Sequence, residues 1–357
     1  MTPQSRPAPQ TGPAMQAGPA PQAGHAMQAG ASARPGRGRP AGFTFTVDPW
    51  DPAYGMAFGD ELDGGSLQAS DAELNLDLEL PADQWRPVDP DLTAALPAKV
   101  LFLDGVRRID ARVWVHGNGP QPVPGIAASI AAGLVCCDGA AHITEVMAER
   151  GLFTPAAHAA DIGTRYAVYP ARMAGGPGPD KLSLALQQRL TDAEVELANA
   201  FRRRSRVADD LLVLDGPLRG RTHLDRTVGY IKTHHAAYLP AGPAAVIGAL
   251  RPGQRSPVFM MGTSWRRSSW YLQLPGAQGA PWAGVVRLEC SADLPPAQAM
   301  ALADLTARLL PPLASAPHKD SRAPQNLVPI GGLERELRRR LGDQHLLYRA
   351  LRAAASG

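Results

Sequence analysis

Two short apolar runs in this chain end on the same dipeptide, Asp-Gly, and arginines follow each of them. The first is "VLFLDGVRR", which contains Asp104, and the second is "LLVLDGPLRGR", which contains Asp215. Short apolar runs of this kind are typical of buried strands. Asp-Gly after a strand commonly forms a turn, because both residues tolerate a positive φ. The alternative interpretation is that two carboxylates lie together at one edge of a sheet.

The segment between the two runs favours the second interpretation. A helical pattern extends from about Leu182 to Arg206, and Leu190, Glu194, Leu197 and Phe201 share one face of its 3.6-residue period. Glu194 is therefore predicted to point where the leucines point. A carboxylate on a core-facing stripe is costly unless it is paired or binds a metal.

Three carboxylates at one place would form an all-oxygen site of high negative charge. Such a donor set suits Mg²⁺ or Mn²⁺ rather than zinc. Sites of this kind can cut phosphodiesters by activating the attacking water and stabilising the leaving oxygen. The sequence thus predicts metal ligands at Asp104, Glu194 and Asp215, with Glu196 as the alternative if the helix phase differs. An ion pair between Glu194 and an arginine is the competing interpretation.

A lysine lies in the next apolar run, "VGYIK". Lys232 could balance phosphate charge at such a site. A lysine whose head group reaches solvent is an equal alternative.

Composition limits the compartment and the class of protein. The three cysteines, Cys136, Cys137 and Cys290, are too few for a disulfide framework, which favours a reducing cytoplasm. They also lack the spacing of zinc-binding cysteines. The longest apolar run, "GIAASIAAGLVCC", has about 13 residues, short of the roughly 20 that a membrane span needs. We expect a soluble, cytoplasmic protein that does not enter a membrane.

Residues 1–41 consist mainly of Pro, Gln, Ala and Gly and contain no acid. Because they offer almost no branched or aromatic side chains for burial, the sequence predicts a disordered tail. The tail carries four arginines, so the rest of the chain is almost neutral. A polyanionic partner would therefore be held by local basic clusters. Such clusters occur at Arg202, Arg203, Arg204 and Arg206, at Arg219 and Arg221, at Arg266 and Arg267, and at Arg335, Arg338, Arg339 and Arg340.

The remaining chain is predicted to have two parts. Residues 42–96 are rich in acids and contain "LNLDLEL", whose period-two alternation predicts one half-buried strand in an acidic lobe. Residues 97–357 begin with predicted strands at "KVLFLDG", "DARVWVHG" and "SIAAGLVCC", and then give the order helix, strand and helix. This order predicts a mixed α/β fold rather than a regular βαβ alternation.

These motifs, in their order, resemble the NurA nucleases over about residues 97 to 350. The resemblance rests on "FLDG", the helix with Glu194 four residues before Ala198, "LVLDGPL", "VGYIK", "VVRLE" and "HKDSRAPQNLVPIGGLE". It implies a ribonuclease H-like mixed sheet flanked by helices and a metal that is usually Mn²⁺. It also implies a homodimer that degrades DNA ends while docked on a hexameric HerA-type ATPase.

Carried over residue by residue, the resemblance assigns Asp104, Glu194 and Asp215 to metal binding. One position departs from the family, which usually has a histidine after a "P..L..A" pattern. Here Pro324, Leu327 and Ile330 are followed by Gly331, and Asp320 or Asn326 is a candidate replacement. The predicted catalytic set is therefore Asp104, Glu194, Asp215, Lys232 and Asp320.

Three functions follow from these residues as hypotheses. The first is a metal-dependent DNA nuclease that processes DNA ends, in double-strand break repair or in DNA degradation, together with the ATPase. The second is a catalytically weak adaptor of that motor, because the family's histidine is missing. The third is another ribonuclease H-like nuclease, acting on RNA or on junctions.

Overall fold

The structure is a computed structural model that describes residues 43–49, 68–70, 72–117, 119, 121–204, 210–234, 236–276, 279 and 282–356. The predicted disordered tail, residues 1–41, lies outside the described residues, as do residues 50–67 of the predicted acidic lobe. The strands are β1 (Thr44–Val47), β2 (Gln68–Ala69), β3 (Glu73–Asn75), β4 (Lys99–His116), β5 (Val123–Cys137), β6 (Ala141–Thr154), β7 (Ile162–Gly163), β8 (Val168–Tyr169), β9 (Ala171–Met173), β10 (Asp210–Asp215), β11 (Thr227–Ile231), β12 (Ala236–Ala237), β13 (Phe259–Gly262), β14 (Arg266–Gln273) and β15 (Val285–Ser291). The α-helices are α1 (Pro179–Arg204), α2 (Ala241–Gly248), α3 (Pro296–Leu309), α4 (Val328–Arg340) and α5 (Gln344–Ser356).

Most of these strands form one mixed sheet. Within the described chain the sheet has 11 strands in the order β3-β13-β14-β15-β11-β10-β4-β5-β6-β9, and β1 pairs with β4 outside this path. At its centre β4, β5 and β6 are antiparallel, whereas β10 is parallel to β4 and β11 is parallel to β10. The predicted α/β class with a mixed sheet flanked by helices is confirmed.

The strand β4 differs from its prediction. The sequence suggests one strand that ends at Asp104 and a second that begins near Asp110, but β4 is continuous over 18 residues. Its partner β5 pairs along nearly the whole length, with Asp104 opposite Gly133 and a register irregularity only between Ile109 and Ala111. The turn interpretation of Asp104-Gly105 is therefore wrong, because the ladder with β5 carries the chain straight through the dipeptide.

Helices cover both faces of the sheet. On one face Leu101 and Leu103 of β4 pack in a buried cluster with the leucines of α1. On the other face Val100 and Phe102 pack in a cluster with apolar side chains of α3 and α4. Successive strand residues point to opposite faces, so the continuous apolar run of β4 supplies both cores. Each leucine buried in this way stabilises the fold by about 1.5–3 kcal/mol.

Segments from the predicted acidic lobe belong to the same sheet. The strand β1 pairs with the distal half of β4, and β3 pairs with β13 at the sheet edge. The side chain of Trp85 donates a hydrogen bond to the carbonyl of Leu76 and packs in a cluster with Phe259 and Tyr271. The boundaries of the lobe stay a prediction.

A helix that crosses a bilayer must be long and apolar along its length, and the described part of the chain contains no such helix.

Candidate active site

Two aspartates emerge at the point where the central parallel pairing stops. The ladder between β10 and β4 ends with Leu214 opposite Leu103. Asp215 and Asp104 are the next residues of the two strands, and both lie in the same cleft. Parallel strands that stop at the same level place their next side chains close together. The structure therefore places the two aspartates together at one edge of the sheet, as the sequence predicts.

The two Asp-Gly dipeptides differ in backbone conformation. Gly216 has a φ of 106°, in the left-handed region that favours glycine, and the chain leaves β10 there. Gly105 remains in an extended strand instead. A β-carbon at Gly105 would lie 2.5 Å from Oε1 of Glu194, so the absence of a side chain lets this glutamate approach the strand.

The glutamate that approaches the strand is Glu194, not Glu196. Glu194 is 6% exposed and lies among the buried residues of α1. Glu196 is on the outer part of the helix, where it accepts a hydrogen bond of 2.8 Å from Arg189. The helix phase expected from Leu190 and Leu197 therefore places Glu194 in the cleft.

Each of two carboxylates has a cationic partner. Arg221 donates to Oε2 of Glu194 at 2.8 Å, and both residues are buried. Lys232 donates to Oδ2 of Asp215 at 2.6 Å and to Oδ1 of Asn326 at 3.1 Å. The ion pair between Glu194 and an arginine, weighed as an alternative from the sequence, is thus present. The lysine points into the cleft rather than to open solvent.

Asn326 occupies the position between the lysine and Asp320. Its amide nitrogen donates to Oδ2 of Asp320 at 2.5 Å, and the residue is fully buried. A β-carbon at Gly331 would lie 3.1 Å from that nitrogen, so the glycine at the position where the resemblance leads us to expect a histidine leaves room for Asn326. Asp320, predicted as a catalytic residue, is not among the described residues that line the cleft; it is linked to Lys232 through Asn326 and to Glu334 through Arg322. Of the two candidate replacements, Asn326 is the one in contact with Lys232.

The cleft is large and carries charges of both signs. Its volume is about 1480 Å³. Among the residues that the structure describes, four acidic side chains line the cleft: Asp104, Glu194, Asp215 and Glu334. Six cationic side chains of the same part of the chain line it as well: Arg107, Arg219, Arg221, Lys232, Arg322 and Arg338. An anionic ligand could therefore enter without facing a uniformly negative wall.

Two acids that shape the cleft are the last residues of the sequence motifs "VVRLE" and "HKDSRAPQNLVPIGGLE", although neither was among the predicted site residues. Glu334 on α4 accepts hydrogen bonds from Arg322 at 2.5 Å and from Arg338 at 2.8 Å. Glu289 is fully buried and accepts from the backbone N–H of Leu218 at 2.6 Å, which fixes the loop after Asp215.

The two aspartates are held in an environment that disfavours their charge. Burial raises the pKa of Asp104 well above its usual range, and the carboxylate of Asp215 adds to the increase while Lys232 opposes it. Burial also raises the pKa of Asp215, against the opposing effect of Lys232 and with a further increase from Glu334. Like charges in a buried site repel, so this cluster favours a bound cation.

The three carboxylates are close but not tightly clustered. Among the described residues, they do not form a set with one oxygen each within 4.8 Å of one another. Arg221 is the partner of Glu194, and Lys232 is the partner of Asp215. A metal shared by all three would have to replace these two cations as the partner of the carboxylates.

Glu194 should give the metal-free protein a measurable pH dependence of stability. Burial raises its pKa from 4.5 to about 7, although Arg221 acts in the opposite direction. A carboxyl group whose pKa is raised by folding stabilises the protein below its unfolded pKa, and this contribution is lost as the pH rises through the folded pKa. Between pH 5.5 and 8.0 we expect the free energy of unfolding to fall by about 2 kcal/mol more in wild type than in Glu194→Gln.

Urea unfolding of both proteins at the two pH values, in the presence of EDTA, measures this difference. Glu196→Gln serves as the control, because its carboxylate lies outside the cleft. An equal pH dependence in wild type and Glu194→Gln would show that the buried carboxyl group does not titrate in this range.

The chain was also compared with known proteins. Neither the models of protein families nor the sequences of curated proteins give a significant match to it.

Proposed function

We propose that this protein is a metal-dependent DNA nuclease of the NurA type that processes DNA ends. The observation that carries the proposal is the meeting of Asp104, Glu194 and Asp215 in one cleft that basic side chains also line. These three residues come from a strand, a helix and a second strand that are far apart in the chain. Sheet register and helix phase bring them to a common place.

The sheet topology supports a ribonuclease H-like fold. Three antiparallel strands, β4, β5 and β6, are followed by α1 and then by β10 and β11, which extend the sheet in parallel from β4. The first of these strands is therefore central and carries Asp104. The helix that precedes β10 carries Glu194, and β10 ends on Asp215. The order of Asp104 on a strand, Glu194 on a helix and Asp215 at a strand end supports the assignment that the NurA resemblance implies, although β4 continues beyond Asp104.

The donor set fits a hard divalent cation. Carboxylate oxygens are the ligands that Mg²⁺ and Mn²⁺ prefer, and burial raises the pKa of all three groups, so that a bound cation would stabilise their charged forms. We propose that Asp104, Glu194 and Asp215 would hold Mn²⁺ or Mg²⁺. When bound, the metal would polarise a phosphodiester and lower the pKa of a water molecule.

The cationic side chains of the cleft are suited to a phosphate backbone. Lys232 and Arg221 lie next to the carboxylates and supply positive charge where a scissile phosphate would bind. Arg219, Arg322 and Arg338 extend this charge along the cleft. Arginine binds phosphate through a planar fork of donors, and lysine acts as a point charge. Asn326 keeps Lys232 oriented by accepting one of its hydrogen bonds.

Aromatic rings at the cleft wall are suited to a nucleic acid as well. The rings of His234 and Trp282 are 4.9 Å apart, and both residues line the cleft. Both side chains are half-buried and also pack against Tyr271, and aromatic rings that stay accessible in a cleft stack on bases without regard to sequence. This wall therefore suits a nucleic acid in general, and we propose DNA because the NurA resemblance implies it.

The NurA resemblance further supports a homodimer that works with a hexameric HerA-type ATPase. The proposed setting is DNA repair or DNA degradation in the cytoplasm, which agrees with a chain of few cysteines.

A cleavage assay tests the proposal directly. The full chain would be incubated with an end-labelled duplex, with a closed circular plasmid and with an RNA duplex, each with Mn²⁺, with Mg²⁺ or with EDTA. We expect loss of label from the DNA duplex with Mn²⁺ and none with EDTA. Cleavage of RNA alone would favour the third function. No cleavage of any substrate would favour the adaptor, for which the two ion pairs and the absent histidine are the structural argument.

A further inference from the structure

The β5–β6 hairpin carries a second group of metal-binding side chains, at a distance from the cleft. Cys136 near the end of β5 is paired directly with His142 of β6, and Asp138 lies in the turn between them. Directly paired residues of an antiparallel ladder project from the same face. One ligand atom each from Cys136, Asp138 and His142 lies within 4.8 Å of the others. Among the described residues, no other three His, Cys, Asp or Glu side chains bring their ligand atoms this close together.

We propose that Cys136, Asp138 and His142 form a binding site for a zinc-class divalent ion. A thiolate, an imidazole and a carboxylate are the ligands that zinc takes in proteins, whereas Mn²⁺ and Mg²⁺ prefer oxygen alone. Three protein ligands leave one tetrahedral position open to solvent, a position that water can fill. On binding, the thiol releases its proton to the solvent as the sulfur–metal bond forms.

The exposure of the three residues fits an ion at the protein surface. Cys136 is 3% exposed, so its sulfur is at the inner side of the site. The side chains of His142 and Asp138 are 52% and 33% exposed, so they form its outer rim. The imidazole Nδ1 and a carboxylate oxygen of Asp138 are already 3.5 Å apart. Lys99 lies 4.0 Å from the other carboxylate oxygen, and its side chain is 42% exposed.

The site is separate from the carboxylate cleft. Cys136 pairs with Leu101 of β4, and Asp104 lies three residues further along that strand, about 10 Å away at the rise of a strand. The proposed nuclease site and the hairpin site can therefore be emptied independently. The distinct ligand chemistry of the two sites makes them separable by spectroscopy.

The neighbouring cysteine provides an internal control. Cys137 follows Cys136 in the strand, so it faces the opposite side of the sheet, where it packs against the cluster of α3 and α4. Cys136 packs in the cluster of α1 instead. The two thiols are adjacent in the sequence but lie on opposite faces of the sheet. Spacing patterns of cysteines do not reveal the site, because its histidine is brought in by the register of the hairpin.

Cobalt(II) is the probe that tests the proposal. The full chain, reduced and stripped of metal, would be titrated with Co²⁺ while the near-ultraviolet absorption is recorded. A thiolate bound to Co²⁺ gives a charge-transfer band that carboxylate ligands do not give. We expect this band to saturate at one ion per chain and to disappear when Zn²⁺ is added.

Matched variants decide which residues hold the ion. Cys136→Ser should abolish the band, and Cys137→Ser should keep it. His142→Ala and Asp138→Asn should each weaken Co²⁺ binding by about tenfold or more. Asp104→Asn should leave the band unchanged, which separates this result from the outcome of the nuclease assay.

The opposite results would overturn the site. Absence of the band in wild type, its persistence in Cys136→Ser, or its loss in Cys137→Ser would each remove Cys136 as a ligand. If Cys136→Ser does not fold, His142→Ala decides, because its side chain is exposed and tolerates replacement. Unchanged Co²⁺ affinity in His142→Ala would then reject the proposal.

Discussion

Asp104→Asn and Asp215→Asn are each expected to lower the rate of DNA cleavage at least about a hundredfold. Each change removes one negative charge from the carboxylates that would hold the metal, and it keeps the size of the side chain. The loss of a charged ligand weakens the interaction on which the displacement depends. The measurement is the initial rate of release of label from an end-labelled duplex at saturating Mn²⁺.

The fold should survive both changes. Burial already disfavours the charged form of each aspartate, so a neutral amide removes repulsion within the cluster. Lys232 retains its hydrogen bond to Asn326 when Asp215 is neutral. We therefore expect melting temperatures close to that of wild type in the absence of metal.

Glu196→Gln is the control for activity. It removes the same charge from the same helix as a change at Glu194 would, but from a side chain that is 57% exposed and paired with Arg189. Its cleavage rate should stay near that of wild type. Near wild-type cleavage by Asp104→Asn or Asp215→Asn would instead show that the two aspartates do not form the nuclease site.

The helix phase could be predicted from the sequence because α1 is long and strongly periodic. Leucines spaced by the helical repeat fix which side is buried, and Glu194 lies on that side together with Leu190 and Leu197. The common location of Asp104 and Asp215 could be predicted because two similar apolar runs each end on one of these aspartates, and both aspartates line the cleft. Local sequence patterns were sufficient to predict these positions because each element is packed through one apolar face.

The continuity of β4 and the existence of β6 could not be predicted in this way. In β4, Asp-Gly is a strong local turn signal, and it is overridden by the ladder with β5. Along β6, residues such as Glu145 and Glu149 interrupt the apolar alternation, because they pair with arginines at the surface of the sheet. Both errors arise because long-range pairing, rather than local preference, determines these strands.

The partners of the predicted site residues were also beyond the sequence. Arg221 is one of many arginines in the chain, and nothing in its neighbourhood indicates that it pairs with Glu194 from a helix 27 residues earlier. Asn326 was one of two candidates to replace the histidine that the resemblance implies, and only the structure shows that it accepts a hydrogen bond from Lys232 and that Gly331 leaves room for its amide. Such contacts form because distant helices and strands pack together, and the spacing of residues in the sequence does not predict that packing.

The largest effect on stability is expected from a residue that the sequence did not single out, Arg255. It is 1% exposed, and it donates to both carboxylate oxygens of Glu79 at 2.8 and 2.9 Å and to Asp304 at 2.7 Å. Arg255→Met fills a similar volume but leaves two poorly exposed carboxylates without their cation. We expect the free energy of unfolding to fall by about 3–5 kcal/mol, the usual result of breaking a buried ion pair from one side. Urea unfolding of wild type and variant measures it.

Two further variants identify the cause of that loss. Arg339→Met removes the same charge from an arginine whose side chain is 70% exposed in its pair with Glu336, and it should not change stability measurably. The triple variant Arg255→Met, Glu79→Gln and Asp304→Asn should be more stable than Arg255→Met alone, because no buried charge is then left unpaired. If the triple variant is instead less stable than the single one, lost hydrogen bonding rather than uncompensated charge explains the effect. The three residues would then stabilise the fold through their hydrogen bonds, which include the one that Glu79 accepts from the backbone N–H of Val258 at 2.6 Å.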